Sequence, residues 1–288
     1  MILLPRLLHG QGTSISSSYL KVPLSARASA LGDGTVADAN QLSSWALNPA
    51  NLFAGSRRSV TISHAQWVQD IQSEFLGLQL PFSQGTFGMA VSTSAIPGIE
   101  VREKPGPAIG TFTARFATFQ VGYATEPILN LSAGLTARYL YQKLYIDDVA
   151  GYAFDAGVLY RTPIAGLEIA ASVTNLGSLT AFRTERSELP SFARTGATYR
   201  FEIDDFAARL SVASAVGLQH SETHFSGSVE GVYRGSLAIR IGYQTGFESR
   251  GLSTGLGVAY EFLTFDYGYL PFSYGFGGAH ILSLGIGF

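Results

Sequence analysis

Gly251-Leu252-Ser253-Thr254-Gly255 is the segment whose spacing most directly suggests chemistry, because it fits the G-x-S-x-G pattern of a serine nucleophile elbow. That elbow needs a strand-to-helix turn with a histidine and an acid close by, whereas here the pattern opens an alternating, strand-like run. His64 and His280 are the histidines that would have to serve as base, and neither has a spacing that argues for the role. His220 and His224 stand four apart where a connection enters a strand, a pattern that surface chance explains better than a metal site. Asp147-Asp148 has the oxygen ligands for weak Ca²⁺ binding, but a solvated acidic turn accounts for it. Cysteine is absent, which excludes thiol chemistry and disulfides. The expectation is no catalysis, no metal and no cofactor.

The remaining charges follow another order. Arg115, Arg138, Arg161, Arg194, Arg200, Arg209 and Arg240, with Asp155, Glu168, Glu230, Glu261 and Asp266, each fall opposite the more apolar face of their own segment. From Leu131 to Tyr141, for example, Leu131, Ala133, Leu135, Ala137, Tyr139 and Tyr141 share one face and Arg138 lies on the other. A basic residue facing lipid at mid-membrane costs about 2–4 kcal/mol, so this segregation is what a membrane barrel must show. The lining is mixed in sign, unlike the single-sign ring of an ion-selective pore. Two readings stand: cross-lumen pairs that pin a plug, or simply solvated lumen residues.

Elements that would position such a lining are legible along the chain. Charged residues are 14% of the sequence against a usual figure of about 25%, while Gly, Tyr and Phe are abundant and mean hydropathy is +0.19. Even so, no stretch approaches the ~18 consecutive apolar residues of a membrane helix. Apolar content without apolar runs is the signature of strands with every second residue toward lipid. The net charge of -2 gives no field that would favour nucleic acid.

About fourteen strands can be drawn between Arg58 and Phe288, most near the ~10 residues that a tilted transmembrane strand needs. Alternate connections are short: Ser83 to Gly85, Glu126 to Asn130, Thr162 to Gly166, Glu202 to Asp205 and Arg234 to Ser236. The longest, Ile96 to Gly110 and Gly177 to Pro190, fall on the other side, which matches periplasmic turns and outer loops. A soluble sandwich or propeller predicts neither pattern. Leu282, Leu284, Ile286 and Phe288 alternate with Ser283, Gly285 and Gly287 to the last residue, so Phe288 is expected in the closing strand as a barrel-assembly signal.

The expected division is a residual signal or tail over 1–19, a plug over 20–56 and an antiparallel transmembrane β-barrel over 57–288. Met1 to Gly10 reads like the end of a secretory signal, or equally a disordered tail. Within the plug, helical spacing runs from Val36 to Leu47, and Asn48-Pro49-Ala50 looks like an N-cap with proline at the first helical position. A plug and a periplasmic linker both fit this segment.

Ala26-Arg27-Ala28-Ser29-Ala30-Leu31-Gly32, Val36-Ala37 and Asn48-Pro49-Ala50-Asn51-Leu52 open an ordered set of motifs. Val173-Thr174-Asn175-Leu176-Gly177, Leu189-Pro190, Arg194-Thr195-Gly196 and Tyr199 follow in the middle. Arg240-Ile241-Gly242-Tyr243, Gly255-Leu256-Gly257, Phe265-Asp266-Tyr267-Gly268, His280, Ser283-Leu284 and Phe288 close it. The set resembles the PorV/PorQ outer-membrane proteins, which are similar in fold to the FadL fatty-acid channels. The resemblance implies a fourteen-stranded barrel with an amino-terminal hatch in the bacterial outer membrane. It also implies a docking or anchoring role in type IX secretion or cell-surface attachment, with other outer-membrane secretion or attachment proteins as partners. The alternative it implies is a FadL-like channel for hydrophobic small molecules. The outer loops are short for either role.

Overall fold

Alternating side chains settle into two-faced strands. In β14, Leu282 and Leu284 are exposed on the outside while Ser283 between them is buried. In the computed structural model, which describes residues 19–38, 42–54, 57–102, 104–180, 188–219 and 222–288, fourteen such strands form one closed antiparallel barrel. They are β1 (Ser59–Gln66), β2 (Gln72–Phe82), β3 (Gly85–Val101), β4 (Gly110–Ile128), β5 (Leu131–Leu144), β6 (Asp147–Arg161) and β7 (Leu167–Leu179). Then follow β8 (Phe192–Ile203), β9 (Phe206–Gly217), β10 (Thr223–Tyr233), β11 (Leu237–Gln244), β12 (Leu252–Tyr260), β13 (Leu263–Pro271) and β14 (Gly278–Gly287).

Closure comes from β1 pairing with both β2 and β14, with Ser63 opposite Ser283 and Ile62 opposite Leu284. The Phe288 N–H adds one more bond to the Arg58 carbonyl at 2.9 Å. No backbone edge is left open along the wall, as a lipid-embedded sheet requires. Outward faces carry Leu135, Phe154, Val212, Ile239, Ile241 and Leu256, all more than half exposed. A closed barrel with an apolar exterior and a polar interior is the outer-membrane type of barrel.

Even-to-odd connections are tight turns such as Leu129–Asn130 and Asp204–Asp205, whose Asn130 and Asp204 take positive φ. The odd-to-even side carries the longer connections. The hairpin of β3 and β4 departs from the expected limits, because its strands continue to Val101 and from Gly110 and leave only 102–109 as loop. Arg115, expected in the lumen, is not a lumen residue. Inward positions of β4 are Ala114, Phe116, Thr118 and Gln120, all buried, and Arg115 lies on the exposed outer face. Phe116 is held inward by stacking on Tyr19 at 4.5 Å. Arg115 pairs in register with Ala95, about ten residues beyond the turn at Gly85, or roughly 25 Å up a tilted strand. At that height the lipid-facing band ends, so an outward arginine is tolerated.

Ahead of the wall, residues 19–38 and 42–54 lie inside the barrel. Helix α1 (Ala26–Ala30) is capped by the Ser25 side chain, which accepts from the Ala28 N–H. The helical run expected from Val36 to Leu47 is not one helix. Short 3-10 turns, Thr35–Ala37 and Leu42–Ala46, replace it, and Asp38 between them is extended at φ -128°. Gly32 and Asp33 at positive φ turn the chain sharply after α1. Asn48 accepts from the Ala50 N–H and Pro49 opens a last 3-10 turn, Pro49–Ala54. Of the expected tail over 1–19, residues 1–18 lie outside the described residues, and Tyr19 is already buried against Phe116.

Candidate functional site

The lumen is filled by this segment, and the wall is shaped to receive it. Helix α1 is almost wholly small side chains, so it packs directly on β11 to β14. There the Ala26 N–H donates to Ser283 Oγ at 2.9 Å, Ser253 Oγ donates to the Ala30 carbonyl at 3.0 Å, and Gln244 Nε2 donates to the Gly32 carbonyl at 2.7 Å. Across the lumen, Trp45 Nε1 donates to Thr136 Oγ1 at 2.7 Å and Ser172 Oγ to the Leu47 carbonyl at 2.6 Å. Asn48 Nδ2 reaches the carbonyls of Val36 and Val158, both at 3.1 Å. Gly157 and Gly134 make room for this turn: a Cβ on Gly157 would lie 1.9 Å from Asn48 Oδ1, and one on Gly134 2.4 Å from the Pro49 carbonyl carbon.

Toward the tight-turn end, one buried network ties plug to wall. Arg27 donates to Glu230 through Nε at 2.9 Å and Nη2 at 2.7 Å, and it also pairs with Asp38. Glu230 accepts from Arg209 at 2.5 Å and Arg240 at 2.7 Å, and Arg240 continues to Asp266 at 2.6 Å. Asp38 meets Arg200 at 3.3 Å, and Arg200 meets Glu168 at 2.8 Å. Arg161 reaches Glu168 at 3.6 Å and Glu126 at 3.9 Å. Four arginines (27, 200, 209, 240) thus face four carboxylates (38, 168, 230, 266), the balance that a buried ionic cluster needs. Burial alone would pull the Arg27 guanidinium down, but Asp38 and Glu230 outweigh it and hold it above its ordinary value.

Arg138 forms a separate pair with Asp155 at 2.6 Å, and Asp155 also accepts the Asn175 N–H at 2.6 Å. Arg194 points inward near the long-loop end and donates to Thr174 Oγ1. Glu261 is not a wall residue: it sits exposed at φ 52° in the turn between β12 and β13, at the mouth of the lumen, because the chain reverses there. Ser253 is turned into the lumen and spent on Ala30, so the G-x-S-x-G pattern is strand and not an elbow. Among the described residues no cluster of metal-ligating side chains is present.

The plug divides the interior into two spaces. On the tight-turn side is a polar vestibule of about 620 Å³, bordered by Arg209, Glu230, Arg240 and Asp266. On the long-loop side is a smaller cavity of about 120 Å³ between the plug residues Leu20, Val22 and Leu24 and the wall residues Phe192, Arg194 and Gln244. Phe247 and Arg250, from the connection after β11, complete its rim. Sequence alone does not reveal these two, because they stand in a connection where no alternation marks them.

No protein-family model matches the sequence, and no functionally curated protein matches it. Solved structures do share the fold. A protein described as the CymD monoaromatic hydrocarbon channel superposes with a TM-score of 0.67 at 13% identity, over 93% of this chain and 98% of its own. A deletion mutant of the TodX monoaromatic hydrocarbon channel gives 0.62 at 10% identity, over 92% and 99%. The P. putida toluene transporter TodX gives 0.54 at 10% identity, over 84% and 92%. The chain therefore shares the barrel architecture of these outer-membrane channels over nearly its whole length.

Proposed function

We propose that the chain is an outer-membrane channel for passive uptake of small hydrophobic molecules, with the plug keeping the lumen closed to ions. The observation that carries this reading is a closed, plugged barrel whose long-loop side holds a ring-sized, largely apolar cavity above a separate polar vestibule. The fold shared with CymD and TodX, which are described as hydrocarbon channels, supports it. A docking role in type IX secretion rests on the motif resemblance alone. It draws no support from these folds. No catalytic role is included in the proposal.

The test is uptake of radiolabelled toluene by an outer-membrane-intact host lacking a channel of this kind. Expression of the chain should raise the initial rate several-fold over an empty vector. An unchanged rate, with the folded barrel present in the outer membrane, refutes the channel reading.

A further inference from the structure

The long-loop cavity has apolar plug residues, Leu20, Val22 and Leu24, on one side, but it is not electrically neutral. Lys21, Arg138, Arg194 and Arg250 border it, and Asp33 is its single bordering carboxylate. Lys21 is matched by Glu222 at 2.8 Å and Arg138 by Asp155 at 2.6 Å. Among the described residues neither Arg194 nor Arg250 has a carboxylate within ion-pair distance, and Asp33 meets only Gln244 Nε2, at 3.4 Å. One positive charge is left over in a partly dry space, where an uncompensated charge is costly.

Arg250 is the clearer case of the two. Its guanidinium carbon lies 4.0 Å from the centre of the Phe247 ring and 5.5 Å from that of Trp67, and its Nη1 is shut off from solvent with no hydrogen-bond partner. A backbone bridge to Phe272 holds this part of the connection over the cavity. Burial pulls this guanidinium below its ordinary value, and Asp33 offsets the effect only in part. Arg194 is similarly stacked, 4.8 Å from the Phe192 ring centre, and spends one nitrogen on Thr174. The His224 ring lies parallel to Phe247 at 3.9 Å, with its Nδ1 also buried and unpartnered. The result is a pair of rigid guanidinium forks set among flat aromatic walls. Forks of this kind recognise carboxylates with directional, charge-assisted hydrogen bonds.

Size narrows the class further. A cavity of about 120 Å³ is of the order of the ~150 Å³ cavity known to hold benzene, so one ring fills it and a long acyl chain does not fit. Resting on the channel reading above, we propose that this cavity selects single-ring aromatic carboxylates, with the ring against Phe192, Phe247 and the plug and the carboxylate between Arg194 and Arg250.

The test is binding to the purified full-length barrel in nanodiscs, with benzoate, cyclohexanecarboxylate and toluene as probes. Benzoate should bind at least about 10-fold more tightly than toluene and several-fold more tightly than cyclohexanecarboxylate. Arg194→Gln and Arg250→Gln should each weaken benzoate by about 10-fold or more and leave toluene within about 2-fold. Arg250→Lys, which keeps the charge but loses the planar fork, should bind benzoate more tightly than Arg250→Gln and more weakly than the parent, and heat-modifiable migration checks that every variant is folded. Toluene binding as tight as benzoate, or Gln variants that bind benzoate normally, overturns the carboxylate assignment. Equal affinity for cyclohexanecarboxylate overturns the aromatic part. In both cases accelerated toluene uptake by cells would leave the channel reading intact, whereas failure of uptake would remove that reading itself.

Discussion

Arg27→Met isolates what the ionic network does for the plug. The substitution keeps a long side chain in the space but removes the cation that joins plug to wall. Glu230 would lose little, because Arg209 and Arg240 still donate to it at 2.5 and 2.7 Å. Asp38 would lose its main partner and, among the described residues, keep Arg200 at 3.3 Å. Breaking a buried pair costs on the order of 3–5 kcal/mol when the other charge is left unpaired, and the contact that Asp38 keeps with Arg200 puts this case at the lower limit, about 3 kcal/mol. At about 1.4 kcal/mol per decade, the ratio of unseated to seated plug should rise by roughly two powers of ten.

Planar-bilayer recording reads this directly. The parent chain should be almost silent, and Arg27→Met should open to ion-conducting levels. High salt in the recording buffer does little to mask the effect, because buried pairs are screened far less than exposed ones. Arg27→Met with Asp38→Asn removes both charges and should return conductance most of the way to the parent level. If the single variant is as silent as the parent, or the double variant conducts as much as the single, the network does not hold the plug.

Two further expectations concern the wall. Deleting Phe288 removes the last bond of the closing seam, to the Arg58 carbonyl, and should cut the yield of heat-modifiable, membrane-inserted barrel by at least about half; an unchanged yield counts against a role in assembly. In a chain without cysteine, Lys104→Cys should react with an impermeant maleimide on intact cells and Asp205→Cys only after permeabilisation, since 102–109 is a long-side loop and Asp205 a tight-turn residue; the reverse pattern would invert the topology.

What was legible in the sequence is whatever repeats with a period of two. Arg138, Asp155, Glu168, Arg200, Arg209, Glu230, Arg240 and Asp266 lie inside because the alternation of their strands puts them there. Arg115 breaks the pattern because plug residue Tyr19 buries an aromatic, Phe116, on the inner face, so that near the loop end of β4 apolarity no longer marks the lipid side. The plug was visible as a change in composition but not in its conformation. Its 3-10 turns follow from wall contacts such as Ser172 to Leu47 and Gln79 to Leu52, which no local propensity encodes. Arg250 and Phe247 could not be picked out, since a connection has no period and only closure of the barrel brings them over the plug.

The positions of Asp33 and Arg27 show how a ligand on one side could act on a plug that is locked on the other. A ligand moves the plug only if it binds the unseated state better than the seated one, and the shift cannot exceed that difference. Asp33 belongs to the plug, borders the long-loop cavity, and is a carboxylate whose field reaches both Arg194 and Arg250. Its pKa is raised by burial and pulled back by those two guanidinium groups, so their field is part of what keeps this turn of the plug seated. On the proposal made here, an aromatic carboxylate takes over the same guanidinium groups, so the field that offsets the burial of Asp33 is withdrawn from the seated plug. That loss is relieved when the turn at Gly32–Gly34 moves Asp33 toward water, which is the source of a differential affinity for the unseated state. The buried cluster around Glu230 lies on the opposite side of the plug and is untouched by the exchange, so it remains the larger cost and keeps the channel closed when no ligand is bound.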